Sequence, residues 1–160
     1  IYYSNDLIGT QIGGALKNIY AIAAGIAEGL NLGENAKSAL ISRSFAEMTR
    51  YAKKFKADKN TLFGLSGLGD LILTCSSKNS RNTQFGIKLA SSKYDNFLDL
   101  LKSQEVTEGY YTVKAVYNIS QKKNIDMPIM ESVYNILYKQ HDLKEELSNL
   151  LSRPIKEEKI

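Results

Sequence analysis

The sequence predicts an all-α fold, a helical bundle built around two long helices. Apolar residues recur every three or four positions from Leu7 to about Asn31, which is the spacing of one face of a helix. A second such pattern runs from about Glu34 to Lys56, with its acidic residue at the start and lysines at the end, as the helix dipole favours. Strand and helix patterns do not alternate, so a parallel sheet is not predicted.

The first long helix is predicted to be bounded by a recognisable residue at each end, and both long helices have a predicted inward face. Asp6 is a residue type that commonly caps a helix N-terminus, and Gly33 is predicted to end the first helix because glycine is common just past a helix end. The residues predicted to face inward on the first helix are Ile8, Ile12, Leu16, Ile19, Ala23, Ile26 and Leu30. Those predicted on the second helix are Ala39, Leu40, Phe45, Ala46, Met48, Thr49 and Ala52.

Shorter helices are predicted after the second long one, each from an apolar periodicity or a capping residue. They span about 58–63, 71–75, 80–91, 94–102, 109–122, 128–140 and 143–151. Residues 6–152 are therefore expected to form one helical domain. The charged residues 153–160 are expected to form a flexible tail.

Composition excludes several classes of protein. The net charge of +4 is modest, and no basic stripe with interleaved aromatic residues indicates a nucleic-acid partner. Cys75 is the single cysteine, so neither an internal disulfide nor a multi-cysteine metal site is expected, and a reducing, cytoplasmic setting is favoured. No apolar run approaches the roughly 20 residues that span a bilayer, so no membrane span is expected.

The stretch from Gly64 to Cys75 is the strongest local signal of a site. Three glycines fall within the six residues 64–69, directly before Asp70. Glycine at this density costs chain entropy, which is reasonable where the backbone must approach a ligand closely. Asp70 can be read as an ordinary N-cap, or as a carboxylate that orients a lysine or a substrate hydroxyl.

Lys17 follows two adjacent glycines inside the first long helix. Because helical side chains lean toward the N-terminus, Lys17 is expected to lie over the turn that contains Gly13 and Gly14. Two glycines in a helix interior cost roughly 1 kcal/mol each relative to alanine. This cost is explained either by space for a small molecule beside the ammonium group or by another helix that packs there.

Ser80, Arg81 and Asn82 open a predicted helix, where free N–H groups and the dipole favour an anion. The guanidinium of Arg81 can bind a phosphate with two hydrogen bonds, and Asn82 adds an amide donor. An N-cap serine beside a chance arginine is the alternative reading.

Taken together, these motifs resemble the C-terminal half of NAD(P)-dependent glycerol-3-phosphate dehydrogenase. The matching stretches are Gly13 to Asn18, Gly64 to Cys75, Ser80 to Asn82, Phe85-Gly86, Glu108 to Tyr110 and Met127 to Ile129. The family pairs an N-terminal Rossmann domain with an all-helical domain like the C-terminal domain of 6-phosphogluconate dehydrogenase. The chain resembles only the helical domain. The resemblance therefore implies that residues 6–152 are the substrate-binding domain and that residues 1–5 are the end of the last Rossmann strand or a linker.

The resemblance implies an oxidoreductase that interconverts sn-glycerol 3-phosphate and dihydroxyacetone phosphate for glycerophospholipid synthesis. It implies NAD or NADP as the cofactor, bound mainly by the absent N-terminal domain, and a homodimer. Half of the site is then missing, so the chain by itself is expected to be inactive. Two alternatives remain: the helical domain of another β-hydroxyacid-type dehydrogenase, and a non-catalytic helical dimerisation module.

The resemblance also implies roles for individual residues. Lys17 matches the family's proton acceptor, with Asp70 and Thr74 in supporting catalytic roles. The implied substrate-binding residues are Lys17, Asp70, Ser80, Arg81 and Asn82. The implied cofactor contacts are Arg81, Val106 and Glu108.

Overall fold

The computed structural model describes residues 3–91 and 107–152, which contain helices and no strand. The helices are α1 (Leu7–Gly29), α2 (Gly33–Lys53), α3 (Lys59–Phe63), α4 (Asp70–Ser76), α5 (Arg81–Ala90), α6 (Glu108–Lys123), α7 (Pro128–Lys139) and α8 (Leu143–Leu151), with one π-helical turn at Leu65–Gly69. The all-α prediction is therefore confirmed. The helix predicted at 94–102 and the tail predicted at 153–160 lie outside the described residues.

Helix α1 runs through the centre of the bundle. The sequence predicts one inward stripe for α1, but its second half is buried on nearly all sides, since Ile19–Ile22 and Ala24–Ala27 are all inaccessible or nearly so. Helices α2, α4, α5 and α6 all pack against α1. A helix that is apolar all round is typical of such a central position.

Two predicted core positions lie at the surface. Ile8 is 48% exposed, because it belongs to the first turn of α1, where few other residues pack. Ala39 is exposed because the first half of α2, from Gly33 to Arg43, contains no buried residue. Ile8 therefore does not face inward as predicted, and Ala39 is exposed, whereas Phe45, Met48 and Ala52 are buried as predicted.

Among the described helices, the predicted ends lie within two residues of the observed ones, except that α2 ends at Lys53 instead of about Lys56. Gly33 also does not end α1. Asp6 accepts a hydrogen bond from the Gly9 N–H at 2.8 Å and so caps α1. Helix α1 ends at Gly29, and Gly33 is instead the first residue of α2, with a φ of +83°. Only glycine adopts this backbone conformation readily, so Gly33 serves the turn between the two helices rather than the end of α1.

Helices α1 and α5 cross with their backbones in contact. A Cβ atom at Gly86 would lie 2.1 Å from the carbonyl oxygen of Ile22, and one at Gly25 would lie 2.0 Å from the carbonyl oxygen of Thr83. Any larger residue at either position would separate the helices. This crossing holds the start of α5 close to α1.

Glu47 is a buried carboxylate that joins α2 to the start of α7. Its side chain is 1% exposed and accepts hydrogen bonds from the N–H groups of Ile129 at 2.6 Å and Met130 at 3.2 Å. The Tyr20 hydroxyl lies 3.4 Å from the same carboxylate. Burial raises the pKa of Glu47 from 4.5 to about 7, although the two backbone N–H groups act in the opposite direction.

Within the described ranges, no helix combines the length and the apolar character needed to cross a membrane.

Candidate active site

An ion pair between α1 and α4 forms the centre of the candidate site. The Nζ atom of Lys17 lies 2.5 Å from Oδ2 of Asp70, and the two side chains are 24% and 30% exposed. Each side chain therefore remains accessible from one side while it contacts its partner. The reading of Asp70 as an N-cap is not what the structure shows, since Gly69 occupies the N-cap position and Asp70 is the first residue of α4.

The glycine-rich stretch positions Asp70 by packing against α1. Its residues 65–69 form a π-helical turn, and this turn runs directly into α4. A Cβ atom at Gly13 would lie 2.3 Å from the Ser66 carbonyl oxygen, whereas one at Gly14 would have no neighbour within 4 Å. Of the two explanations for the glycine pair, Gly13 therefore serves packing, and Gly14 leaves open space in the turn before Lys17.

Thr74 lies one turn after Asp70 and contacts the same carboxylate. Its hydroxyl donates to Oδ1 of Asp70 at 3.3 Å, and its carbonyl oxygen accepts from the Thr83 hydroxyl at 2.9 Å. Thr83 belongs to α5, so these two hydrogen bonds connect the Asp70 carboxylate to the start of α5. The structure thus brings together the three residues predicted to be catalytic.

At the start of α5, two of the residues predicted to bind substrate form hydrogen bonds with other residues of the chain. Ser80 is the N-cap of α5 and accepts a hydrogen bond from the Thr83 N–H. Asn82 is buried, donates through Nδ2 to Oδ1 of Asn18 at 3.1 Å and accepts at Oδ1 from the Gly109 N–H at 3.0 Å. Asn82 therefore joins the starts of α5 and α6 to the helix that carries Lys17.

Asn18 is the residue of this cluster that sequence reasoning did not single out. It is adjacent to Lys17, and its amide contacts both Asn82 and the Gly14 carbonyl oxygen. The signal available in the sequence was its place in the glycine-lysine motif. A single asparagine within a helix carries no periodicity that would indicate a long-range partner.

Arg81 and Glu108 form an ion pair at the outer edge of the site. The Nη2 atom of Arg81 lies 2.9 Å from Oε1 of Glu108, and the two side chains are 78% and 66% exposed. Such an exposed pair contributes little to stability, so the guanidinium can exchange this partner for an anion at small cost. Val106, the third predicted cofactor contact, lies outside the described residues.

Exposed apolar side chains occur in the two elements that position Asp70, the π-helical turn and α4. Leu65, in the π-helical turn, is 74% exposed, and Leu73, between Asp70 and Thr74 in α4, is 67% exposed. Ile72, next to Leu73, is 46% exposed. A group of accessible apolar residues beside polar ones is typical of a surface that another part of a protein covers. In the described parts of the chain, no group of three or more metal-ligating side chains is present.

Comparison with known proteins identifies the family. The family model described as "NAD-dependent glycerol-3-phosphate dehydrogenase C-terminus" matches residues 6–148 of the chain. The chain belongs to this family. The predicted resemblance to the C-terminal half of glycerol-3-phosphate dehydrogenase is therefore confirmed.

Individual glycerol-3-phosphate dehydrogenases match nearly all of the chain. The enzyme named glycerol-3-phosphate dehydrogenase [NAD(P)+] from Staphylococcus carnosus is 45% identical over 159 residues, which are 99% of this chain and 47% of the relative. That from Colwellia psychrerythraea is 46% identical over 153 residues, 96% of this chain and 46% of the relative. The chain thus spans about half the length of the curated relatives it matches.

A solved structure has the same fold. The crystal structure of glycerol-3-phosphate dehydrogenase from Coxiella burnetii matches with a TM-score of 0.88 and 40% sequence identity, over 95% of this chain and 46% of that one. The curated relatives named here are NAD(P)-dependent by name, and the chain corresponds to the C-terminal part of this family.

Proposed function

We propose that this chain supplies the substrate-binding half of an oxidoreductase that interconverts sn-glycerol 3-phosphate and dihydroxyacetone phosphate. The observation that carries the proposal is the accessible pair of Lys17 and Asp70 beside the open space at Gly14. An accessible amine held in place by a carboxylate can transfer a proton to and from a substrate oxygen.

Lys17 is proposed to be the residue that moves the proton. Paired with Asp70, its ammonium group is in the form that donates a proton to the C2 oxygen when the ketone is reduced. In the opposite direction, the neutral amine takes the proton from the C2 hydroxyl. Asp70 orients the Lys17 side chain, and Thr74 holds Asp70 through the hydrogen bond to Oδ1.

Arg81 is proposed to bind the phosphate of the substrate. It is the exposed cation at the start of α5, where the helix dipole also favours an anion. Ser80 and Asn82 complete this subsite as the N-cap of α5 and as the amide that fixes the helix start against α1. A phosphate held there sets the distance from C2 to Lys17 and therefore positions the reacting carbon.

The described residues at the outer edge fit a nicotinamide cofactor. Arg81 and Glu108 offer an exposed donor and an exposed acceptor beside the cleft, and we propose that they contact NAD or NADP together with Val106. When bound, the cofactor supplies the hydride acceptor or donor. The exposed Leu65 and Leu73 offer an apolar surface against which a cofactor-binding domain could close and exclude water.

We further propose that the protein acts as a homodimer in the cytoplasm and supplies glycerol 3-phosphate for glycerophospholipid synthesis. Its one cysteine, Cys75, is free and buried, which agrees with a reducing compartment. We also propose that the chain by itself is inactive, since it corresponds to only about half the length of its relatives.

A chimera tests this function. The chain would be joined to the N-terminal half of the Staphylococcus carnosus relative, and NAD(P)-linked oxidation of glycerol 3-phosphate would be measured with the chimera and with the chain alone. We expect turnover by the chimera and none by the chain alone. A folded chimera that oxidises hydroxy acids in preference to glycerol 3-phosphate would contradict the proposal, as would one without any dehydrogenase activity.

A further inference from the structure

A cavity that is partly open to solvent lies outside the candidate active site. It occupies about 240 Å³ between helices α1, α2, α7 and α8, and none of the proposed catalytic or substrate-binding residues lines it. Its inner wall includes the buried side chains of Ile26, Ile129 and Val133. Its rim includes Leu32 and Arg43, which are exposed.

Small residues keep this cavity open. Ala23 and Ala27 of α1 line it together with Ala36 and Ala39 of α2. Larger apolar side chains at these positions would occupy the space between the two helices. Because its lining is mostly apolar, the cavity favours apolar parts of a ligand over polar ones.

Two polar side chains in the lining have no partner in the described part of the chain. Arg43, at the rim, makes neither an ion pair nor a hydrogen bond there, and the same is true of the hydroxyl of Ser132, a residue only 7% exposed. Glu146 also lines the cavity, but its Oε1 already accepts from Asn135 Nδ2 at 3.2 Å and lies 2.7 Å from His141 Nδ1. Arg43 is therefore the charged side chain of the lining that has no partner among the described residues.

We propose that this cavity binds an aliphatic carboxylate of the fatty-acid class. The chain of the ligand lies among the apolar side chains of α1, α2 and α7, and its carboxylate contacts the Arg43 guanidinium through charge-assisted hydrogen bonds. The volume is somewhat below the roughly 300–1,000 Å³ of pockets for drug-sized ligands, so a single short to medium chain fits best.

Binding of octanoate and of 1-octanol to the chain, measured by titration calorimetry, tests the role of Arg43. We expect saturable binding of both probes. Arg43→Gln should lower the affinity for octanoate about fivefold, the effect expected for an exposed ion pair, and should leave the affinity for 1-octanol unchanged. Lys53→Gln removes the same charge from α2 away from the cavity and should change neither affinity. Absence of saturable octanoate binding, or an equal effect of Arg43→Gln on both probes, would overturn the proposal.

A cavity-filling pair of variants tests the location. Ala36 is half-buried and lines the cavity, whereas Asn35 is exposed and does not. We expect Ala36→Phe to abolish binding of both probes and Asn35→Phe to preserve it, with unchanged helicity by circular dichroism. Equal binding of octanoate to both variants would show that the inference is wrong. So would a chain that does not bind octanoate but forms a dimer that Ala36→Phe dissociates.

Discussion

The Nζ atom of Lys17 lies 2.5 Å from Oδ2 of Asp70, although 53 residues separate the two along the chain. The contact depends on the π-helical turn at Leu65–Gly69, which packs against Gly13 and leads straight into α4. Residues 65–69 of the glycine-rich stretch therefore form a helical turn rather than a loop. This turn places one carboxylate next to one amine.

Asp70→Asn should lower kcat of the chimera by about a hundredfold with a smaller change in KM, because an amide cannot hold the ammonium of Lys17 as a carboxylate does. Steady-state kinetics with glycerol 3-phosphate measures both constants. Glu28→Gln is the control, since Glu28 pairs with Lys37 at 2.7 Å on another part of the surface. Equal losses of kcat in the two variants would argue against a specific role for Asp70.

Arg81→Gln should chiefly raise KM for glycerol 3-phosphate, by about tenfold to a hundredfold, because a charge-assisted hydrogen bond to the phosphate is lost. Kinetics of the chimera with glycerol, which lacks the phosphate, should show no comparable loss of kcat/KM. Lys78→Gln, also an exposed cation close to the start of α5, serves as the control. A similar loss with glycerol would mean that Arg81 does not act on the phosphate.

Gly13 and Gly14 offer a matched pair for stability. Gly13→Ala should lower Tm, since its Cβ would meet the Ser66 carbonyl oxygen, a backbone atom that cannot move alone. The Cβ atom added by Gly14→Ala would lie in open space. This variant should raise Tm by about 3 °C, because alanine is more favourable than glycine in a helix interior by roughly 1 kcal/mol. Thermal unfolding of the chain followed by circular dichroism distinguishes the two. A rise of Tm in both variants would contradict the close packing of α1 on the π-helical turn.

The free energy of unfolding should depend on pH through Glu47. Its folded pKa of about 7 lies above the usual 4.5, so the folded chain holds the proton more tightly than the unfolded chain does. The free energy of unfolding should therefore fall as the pH rises from about 4.5 to about 7, by up to about 3 kcal/mol.

Urea unfolding at pH 5.5 and 7.5 measures this dependence. In Glu47→Gln, which cannot ionise, we expect the difference between the two pH values to disappear. Glu145→Gln changes an exposed carboxyl of α8 and should leave the difference intact. An unchanged difference in Glu47→Gln would assign the pH dependence to other groups.

The sequence predicted the features that local chemistry determines. Asp6 and Ser80 cap the helices that they were expected to cap, since a capping side chain acts on backbone groups only three residues away. Lys17 and Asp70 were recognised because glycines precede both. The all-α fold followed from periodicity alone.

The features that depend on distant parts of the chain were missed. Glu47 and Asn18 are polar residues within helices, and their partners lie 82 and 64 residues further along the chain. A helical pattern shows which side of α1 is apolar, but not that other helices cover the remaining sides. The exposure of Ala39 likewise depends on how closely other helices pack against the first half of α2.

Turnover by Lys17→Ala in the chimera tests the central claim most directly. We expect kcat to fall by at least about a hundredfold, with little change in the Kd of glycerol 3-phosphate measured by calorimetry, because the group that moves the proton is lost while the phosphate contacts remain. Lys37→Ala, which breaks the ion pair with Glu28, should keep normal kcat. Near-normal turnover by Lys17→Ala would contradict the proposed role of Lys17 in proton transfer.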